Sequence, residues 1–425
     1  MDNGIAKMNI SLNGGTIKSL SLNSNDVNVL HDYGHFICFD HWGPSSPEDE
    51  ALGIPFHGEA SKIKWTLLGE SNPDENTKLV EMSCLLPIVK LGMNRKIYQG
   101  SGSSVFKIVE EISNHTDSTR VFNLVQHPTI GAPLLDETCI VDTRVDSGFS
   151  QNGPLPPGTE DIFTWPDALV DGDATDLRYL ATDHSWNSAV VTYILDEKKE
   201  YAWVSAVNPS LNLMVGYLWP IDEYPWLNLW LRLRNGAAFA RGLEFGSTGL
   251  HQAWPELLET DTIFGKKLYE EIDVDETVLK SYYAFLAELP SNYKGVAAIS
   301  LSDDTIRIEE YEMDPERSIM LNIKGVSTGT YPFESASAGD ISLSQNTPNP
   351  VDYETLIEYM IADKGQARIE VFNALGQSVK VLIDEAHERG NHKVLFNASA
   401  LPEGLYFYSL SSKGQQLQKR MLVVH

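Results

Sequence analysis

The chain is poor in cysteine, in positive charge and in long apolar runs, and each shortage closes off a class of function. Its 425 residues hold three cysteines, Cys38, Cys84 and Cys139, none in Cys-x-x-Cys spacing. All three lie in apolar settings (HFICFDHW, VEMSCLLPIV, DETCIVD). Buried free thiols are therefore expected, not a disulfide scaffold or a thiolate metal site. Lys and Arg number 32 against 59 Asp and Glu, a formal charge of −27. A surface of that sign repels nucleic acid and anionic membranes and suits a neutral ligand such as a sugar. No apolar run reaches the ~18 residues of a membrane-spanning helix. The N-terminus, MDNGIAKMNISLNGG, lacks the apolar core of a secretory signal peptide. Phosphate-loop, serine-nucleophile and zinc signatures are missing too, so no cofactor and no metal are expected.

What the chain has in quantity is short alternating apolar runs. GTIKSLSL, SSVFKIVEEIS, TRVFNLVQH, SAVVTYIL and YAWVSAV repeat with period two and are rich in Val, Ile, Tyr and Phe. They predict antiparallel strands throughout, and about 300 residues of them predict a large sandwich of two facing sheets. One segment, DETVLKSYYAFLAEL at 275–289, is expected to be helical. Strands resume at 295–302, 305–313 and 318–325. The Ser/Thr/Gly/Ala-rich run at 326–342 then marks a linker. Charge supports the division. Residues 341–425 carry 9 acids and 8 bases, which leaves 50 acids and 24 bases in residues 1–340. The expected organisation is a domain at 1–325, a linker at 326–342 and a smaller β-sandwich at 343–425.

In the C-terminal module the strands are TLIEYMI, ARIEVFNA, HKVLFNA, LYFYSLS and QKRMLVV, with turns at 373–377 and 402–404. PNP at 348–350, IEVFNALGQ at 369–377, LPEGLYFYSL at 401–410 and the basic KRMLVV ending at 419–424 resemble the C-terminal sorting domain of the type IX (Por) secretion system of Bacteroidetes. That resemblance implies an immunoglobulin-like sandwich, a secretion machinery as partner, and a secreted or cell-surface destination.

Three segments of the first domain place ionisable groups beside Gly or Pro at the ends of apolar runs: IPFHGEASKIKW (54–65), VFNLVQHPTIGAPLLDE (121–137) and ARGLEFGSTG (240–249). Chain ends of sheets are where a backbone turns and a ligand can approach. In this order they resemble the galactose mutarotase (aldose 1-epimerase) superfamily, whose fold is a β-supersandwich. The matching residues are His57-Gly58 with Trp65, then His127, then Glu244. Glu59 after His-Gly, Gln126 before the second histidine, and Pro128-Thr129 after it depart from the family pattern, so the sugar is left open.

The resemblance implies acid–base ring opening of a cyclic sugar. A base takes the proton of the C1 hydroxyl while an acid protonates the ring oxygen, and both must work near neutral pH. It assigns Glu244 as base, His127 as acid and His57 as a hydrogen-bonding helper, with the acid and base expected about one sugar ring apart. A rival reading of Glu244 is an ion pair with Arg232, Arg234 or Arg241. Exposed aromatics stack on sugar faces, so YLWPIDEYPWLNLW (217–230) supplies candidate platforms, with Trp230 preferred. Trp65, Asn228, Arg241 and Asp40 complete the expected sugar-binding set. His41 and Trp42 are expected beside Asp40 near His57. Glu48, Asp49 and Glu50 fit a solvated loop better than a calcium site. Two other functions stay open: a carbohydrate-binding protein without turnover, and a polysaccharide-degrading enzyme on the same fold.

Overall fold

The computed structural model describes all residues except 181–185, 275, 303, 312–314, 325, 327–340, 344–345, 347–350, 362–363, 374–376, 414 and 425. Most of the linker at 326–342, the PNP tripeptide at 348–350 and the centre of the turn at 373–377 lie outside the described residues. The chain divides into two compact units, Met1–Gly329 and Thr330–His425.

The first unit is built on two large antiparallel sheets. The ten-stranded one runs in the order Ala6–Ile10, Ile17–Leu22, Leu30–Asp40, Arg120–Ile130, Ala237–Gly246, Trp226–Arg234, Ser188–Ile194, Ser147–Ser150 and Phe163–Thr164, with Glu270–Ile272 pairing on Arg120–Ile130. The eight-stranded one runs Thr66–Asp74, Thr77–Leu85, Leu91–Gly100, Val105–Asn114, Thr277–Glu288, Leu213–Pro220, Tyr201–Asn208 and Ile140–Thr143. Alternate residues of both sheets share one apolar core. Phe245 shows the contact: its ring stacks on Trp219 of the other sheet at 4.2 Å. The strands Val296–Ser302, Thr305–Glu310 and Ile319–Asn322 form a separate three-stranded sheet.

The expected helix at 275–289 is a strand, Thr277–Glu288, in the middle of the eight-stranded sheet. Tyr282, Ala284 and Leu286 point into the shared core, while Tyr283, Phe285 and Ala287 are buried on the opposite face. A strand covered on both faces shows no polar alternation. Its Ala, Leu and Glu residues favour helix intrinsically, and pairing on both edges overrides them.

A buried polar cluster crosses the first core. Arg95 binds Glu110 at 2.7 Å, and Glu110 accepts from Gln126 at 2.7 Å and from Tyr224 at 3.2 Å. Gln126 also meets His35 at 3.2 Å. Full pairing is what makes such a charge tolerable between sheets. Gln126, one of the departures from the family pattern, thus faces inward and belongs to this cluster. Glu59, another, accepts the backbone N–H groups of Ile88 and Val89, tying its loop to the other sheet. All three cysteines are free and buried.

The second unit packs a three-stranded sheet (Ser342–Leu343, Glu354–Ile361, Gly390–Asn397) and a four-stranded sheet (Ser378–His387, Gly365–Asn373, Gly404–Ser412, Gln415–Val423). Ile357, Tyr359 and Ile361 from one and Ile369, Val371, Tyr408 and Leu410 from the other alternate into its core. Among the described residues of the chain, no helix is long and apolar enough to cross a membrane.

Candidate functional site

The site lies on the face of the ten-stranded sheet that points away from the shared core. Parity along each strand decides which residues reach it. On Ala237–Gly246, Leu243 and Phe245 pack inward, so Glu244 and Gly242 face outward. Asn228 stands opposite Glu244 on the next strand, and Trp230 opposite Gly242. On the other side, Phe245 pairs with Gln126, which brings His127 beside Glu244.

His127 and Glu244 meet directly, with Nε2 to Oε1 at 3.0 Å. The other carboxylate oxygen accepts the indole N–H of Trp42 at 2.8 Å. His127 Nδ1 meets the Thr129 hydroxyl at 3.1 Å. That hydroxyl can donate or accept, so it serves either imidazole tautomer. Phe36 stacks on the His127 ring at 4.1 Å. The pair is nearly enclosed: Glu244 is 1% exposed and His127 5%. Burial pushes the Glu244 carboxyl well above the usual range, partly opposed by the Trp42 bond. Burial likewise drives His127 down to about 3. Both shifts favour the uncharged form of the pair.

None of the three arginines expected as rivals binds Glu244. Arg241 is separated from it by an odd number of strand positions and so faces the core. There its Nη2 donates to the carbonyl of Leu177, and burial pushes its guanidinium down to about 10. Arg241 is therefore placed away from the candidate site. Trp65 is too. It is buried in the core, donates to the Ala60 carbonyl at 3.0 Å and lies 4.8 Å under the Arg95 guanidinium. Asp40 is buried further along its strand, among Glu59, Asp49 and Arg120, with burial pushing it up to about 7. No contact joins it to Glu244 or His127. Of the aromatic segment 217–230, Tyr217, Trp219, Tyr224 and Trp226 are all fully buried in cores. Trp230 is the one that reaches the site, 6.0 Å from the His127 ring. Asn228 is on the right face, but its amide is engaged at both ends, accepting from Thr192 and donating to the Thr248 carbonyl. Glu48, Asp49 and Glu50, expected in a loop, form the first turn of a short helix, Pro47–Leu52, which Ser46 caps by accepting the Asp49 N–H while the Asp49 carboxylate accepts the Ser46 N–H.

His57 completes one wall. Its ring lies 5.9 Å from that of His127 and 6.2 Å from that of Phe36. The left-handed φ values of His57 and Gly58, 67° and 73°, turn the chain there. A Cβ on Gly58 would sit 2.6 Å from the Phe39 carbonyl, so only glycine fits against that strand. His57 Nδ1 accepts the Gly43 N–H at 3.2 Å. In the neutral ring the proton is then on Nε2, which leaves a donor for a ligand. Burial and the neighbouring histidines hold His57 well below the ordinary histidine range.

Three participants escaped the sequence reading. His251 lies 5.3 Å from His57 and 4.7 Å from Trp42, ring to ring. It follows Glu244 by a short turn, in GSTGLHQAW, and its place after the site strand was the available signal. Thr129 stood in the sequence as a departure from the family pattern and is here the partner of His127. Phe36 lies in an apolar run with nothing to mark it.

These features can be set beside known proteins. Residues 347–424 match the secretion system C-terminal sorting domain. No curated protein matches the chain. Among solved structures, a galactose mutarotase-like protein from Clostridium acetobutylicum is similar over 68% of this chain and 94% of its own, at 14% identity and a TM-score of 0.53. A galactose mutarotase-like protein from Lactobacillus casei matches 68% and 99%, at 14% identity and a TM-score of 0.48. An aldose epimerase homologue from C. elegans matches 68% and 98%, at 8% identity and a TM-score of 0.48. The first of these carries the fold comparison. The chain joins a domain of the galactose mutarotase-like fold to a secretion system C-terminal sorting domain.

Proposed function

We propose that the first domain is an aldose 1-epimerase-like isomerase that interconverts sugar anomers, and that the type IX machinery exports it to the cell surface or beyond. The observation that carries the reading is the direct contact of His127 Nε2 with Glu244 Oε1. Acid and base were expected about one sugar ring apart, and that separation is not found: the two side chains touch. The C1 hydroxyl oxygen and the ring oxygen are both bonded to C1, so a donor and an acceptor standing side by side can reach both.

The pair can work without any net change of charge. As carboxylate and imidazolium, Glu244 takes the proton of the C1 hydroxyl and His127 gives one to the ring oxygen. The C1–O5 bond breaks and the C1–O1 bond becomes a carbonyl. Glu244 is now protonated and His127 neutral, the form that burial favours. Rotation about C1–C2 turns the other face of the aldehyde to the C5 hydroxyl. Glu244 then reprotonates the carbonyl oxygen, His127 takes the C5 hydroxyl proton, and the ring closes as the other anomer. His57 Nε2–H is the donor for a neighbouring sugar oxygen, and Trp230 the stacking face.

The test is NMR or polarimetry of freshly dissolved α-glucose, α-galactose and α-xylose with the full-length protein, against buffer alone. Accelerated equilibration supports isomerisation. A protein that binds a sugar yet accelerates none would be the carbohydrate-binding alternative, which draws on the near-complete burial of Glu244.

Two further outcomes are expected. The pair keeps its working proton count until a proton is added to His127 or lost from Glu244. Burial puts the first step at about 3 and moves the second well above the ordinary carboxyl value. The kcat/KM profile should therefore be flat from about pH 4 upward and fall as pH rises through the raised carboxyl value. A bell with its acid limb at the ordinary carboxyl value of 4.5 and its alkaline limb at the ordinary histidine value of 6.5 would mean that the two groups titrate freely. Trp42→Phe removes the N–H that favours the carboxylate. Losing one hydrogen bond to a charged group is expected to slow exchange roughly tenfold or more and to move the alkaline limb upward. An unchanged pH profile would show that Trp42 only fills space.

A further inference from the structure

A single monosaccharide needs one stacking face, and Trp230 supplies it. The rings do not stop there. Tyr33 lies 6.2 Å from Trp230, His31 lies 4.4 Å from Tyr33, and Phe239 lies 4.8 Å from His31. The Arg234 guanidinium closes the row, 3.6 Å over Phe239. Tyr33 is 47% exposed, and His31, Phe239 and Trp230 are half-buried.

These residues come from three strands, so no single sequence run announces them. The register of Leu30–Asp40 against Arg120–Ile130 breaks between Leu30 and His35. An irregularity of this kind re-aims side chains, and it is the segment that carries His31 and Tyr33. A second break, between Arg232 and Leu233, lies in the strand pair that supplies Arg234 and Phe239. The row is aromatic with polar edges, not aliphatic, and it ends on an exposed cation. The rings tilt against one another, by 34° between Trp230 and Tyr33, 49° between Tyr33 and His31 and 74° between His31 and Phe239, so they offer faces, edges and hydrogen-bonding groups in turn, which suits sugar rings with apolar faces and hydroxyl rims. The surrounding domain is strongly acidic, so the matching chain is neutral.

We infer that the site takes the reducing end of a neutral oligosaccharide. Its terminal unit meets Glu244 and His127 and stacks on Trp230, the next unit lies over Tyr33, and a further one reaches His31 and Phe239. This rests on the isomerase reading for the terminal unit, and on the ring row for the rest.

The test is calorimetric titration of the full-length protein with glucose and its β-1,4- and α-1,4-linked dimer, trimer and tetramer, and with the matching xylose series. At least one series should tighten by about tenfold from monomer to trimer, the size of one added stacking contact. Tyr33→Ala and Phe239→Ala should each reverse most of that gain and leave monosaccharide affinity and anomer exchange unchanged. Tyr33 is exposed, so its truncation tests the row without disturbing the core. Equal affinity for monomer and oligomers in every series would overturn the inference while monosaccharide exchange, if present, kept the isomerase reading. Chain-length gain that survives both substitutions would also overturn it, by placing the extra units elsewhere. No binding and no exchange with any sugar would remove both.

Discussion

Glu244→Gln is expected to slow anomer exchange by roughly 10²- to 10⁴-fold, the range that general acid–base groups contribute, while sugar affinity and the folded state are kept. The substitution preserves size, and the amide oxygen can still accept the Trp42 N–H that the carboxylate accepts at 2.8 Å. The amide nitrogen takes the place of the oxygen that faces His127 Nε2 at 3.0 Å. It can donate there but cannot accept a proton, so the cycle of charge between the two residues stops. Stability should not fall, because a neutral amide replaces a carboxyl that burial already pushes toward its neutral form. The measurement is the exchange rate of the best α-anomer with wild type and variant, with melting temperature and calorimetric affinity alongside. Normal exchange in a folded, sugar-binding variant would remove Glu244 from the chemistry. Loss of both exchange and binding with an intact melt would make it a ligand-binding residue instead.

How much of this was legible in the sequence depends on the range of the information required. Period-two runs such as SAVVTYIL and YAWVSAV are local, and they became Ser188–Ile194 and Tyr201–Asn208. The segment Thr277–Glu288 failed because its evidence is not local: the layers that cover both its faces come from elsewhere in the chain. Parity was available and settles Arg241, which stands three positions from Glu244 and so must face the other way along a strand. Register was not available. That Asn228 stands opposite Glu244 follows from the register of a hairpin, and that His127 stands beside it follows from strand pairing across more than a hundred residues of sequence. The resemblance to a known superfamily supplied His57, His127 and Glu244 without that pairing. It also named Trp65 for the sugar, but the packing of this core places that ring beneath Arg95, away from the site. It could not supply Phe36 and His251, which reach the pair only through tertiary structure.

Gly242 tests the geometry where Glu244→Gln tests the chemistry. A Cβ built there would lie 2.5 Å from Glu244 Oε1, 3.2 Å from Glu244 Cγ and 3.1 Å from Trp230 Cβ. A glycine beside a site residue can serve to let a ligand approach the backbone closely. Gly242 instead makes room for the carboxylate itself. Gly246 does the same for Val125, whose Cγ2 would lie 2.4 Å from an added Cβ. With Gly242→Ala, the carboxylate must leave the position where His127 and Trp42 hold it. A displacement of about 1 Å at a reacting group costs roughly 10²-fold in rate. Overpacking a close contact costs about 1–3 kcal/mol of stability, so the variant should remain folded. Combining Gly242→Ala with Glu244→Gln should then cost little more rate than Glu244→Gln alone, because both act through one carboxyl. Independent losses that multiply in the double variant would show that the glycine serves something other than Glu244, and the carboxylate would lose its claim to a fixed position.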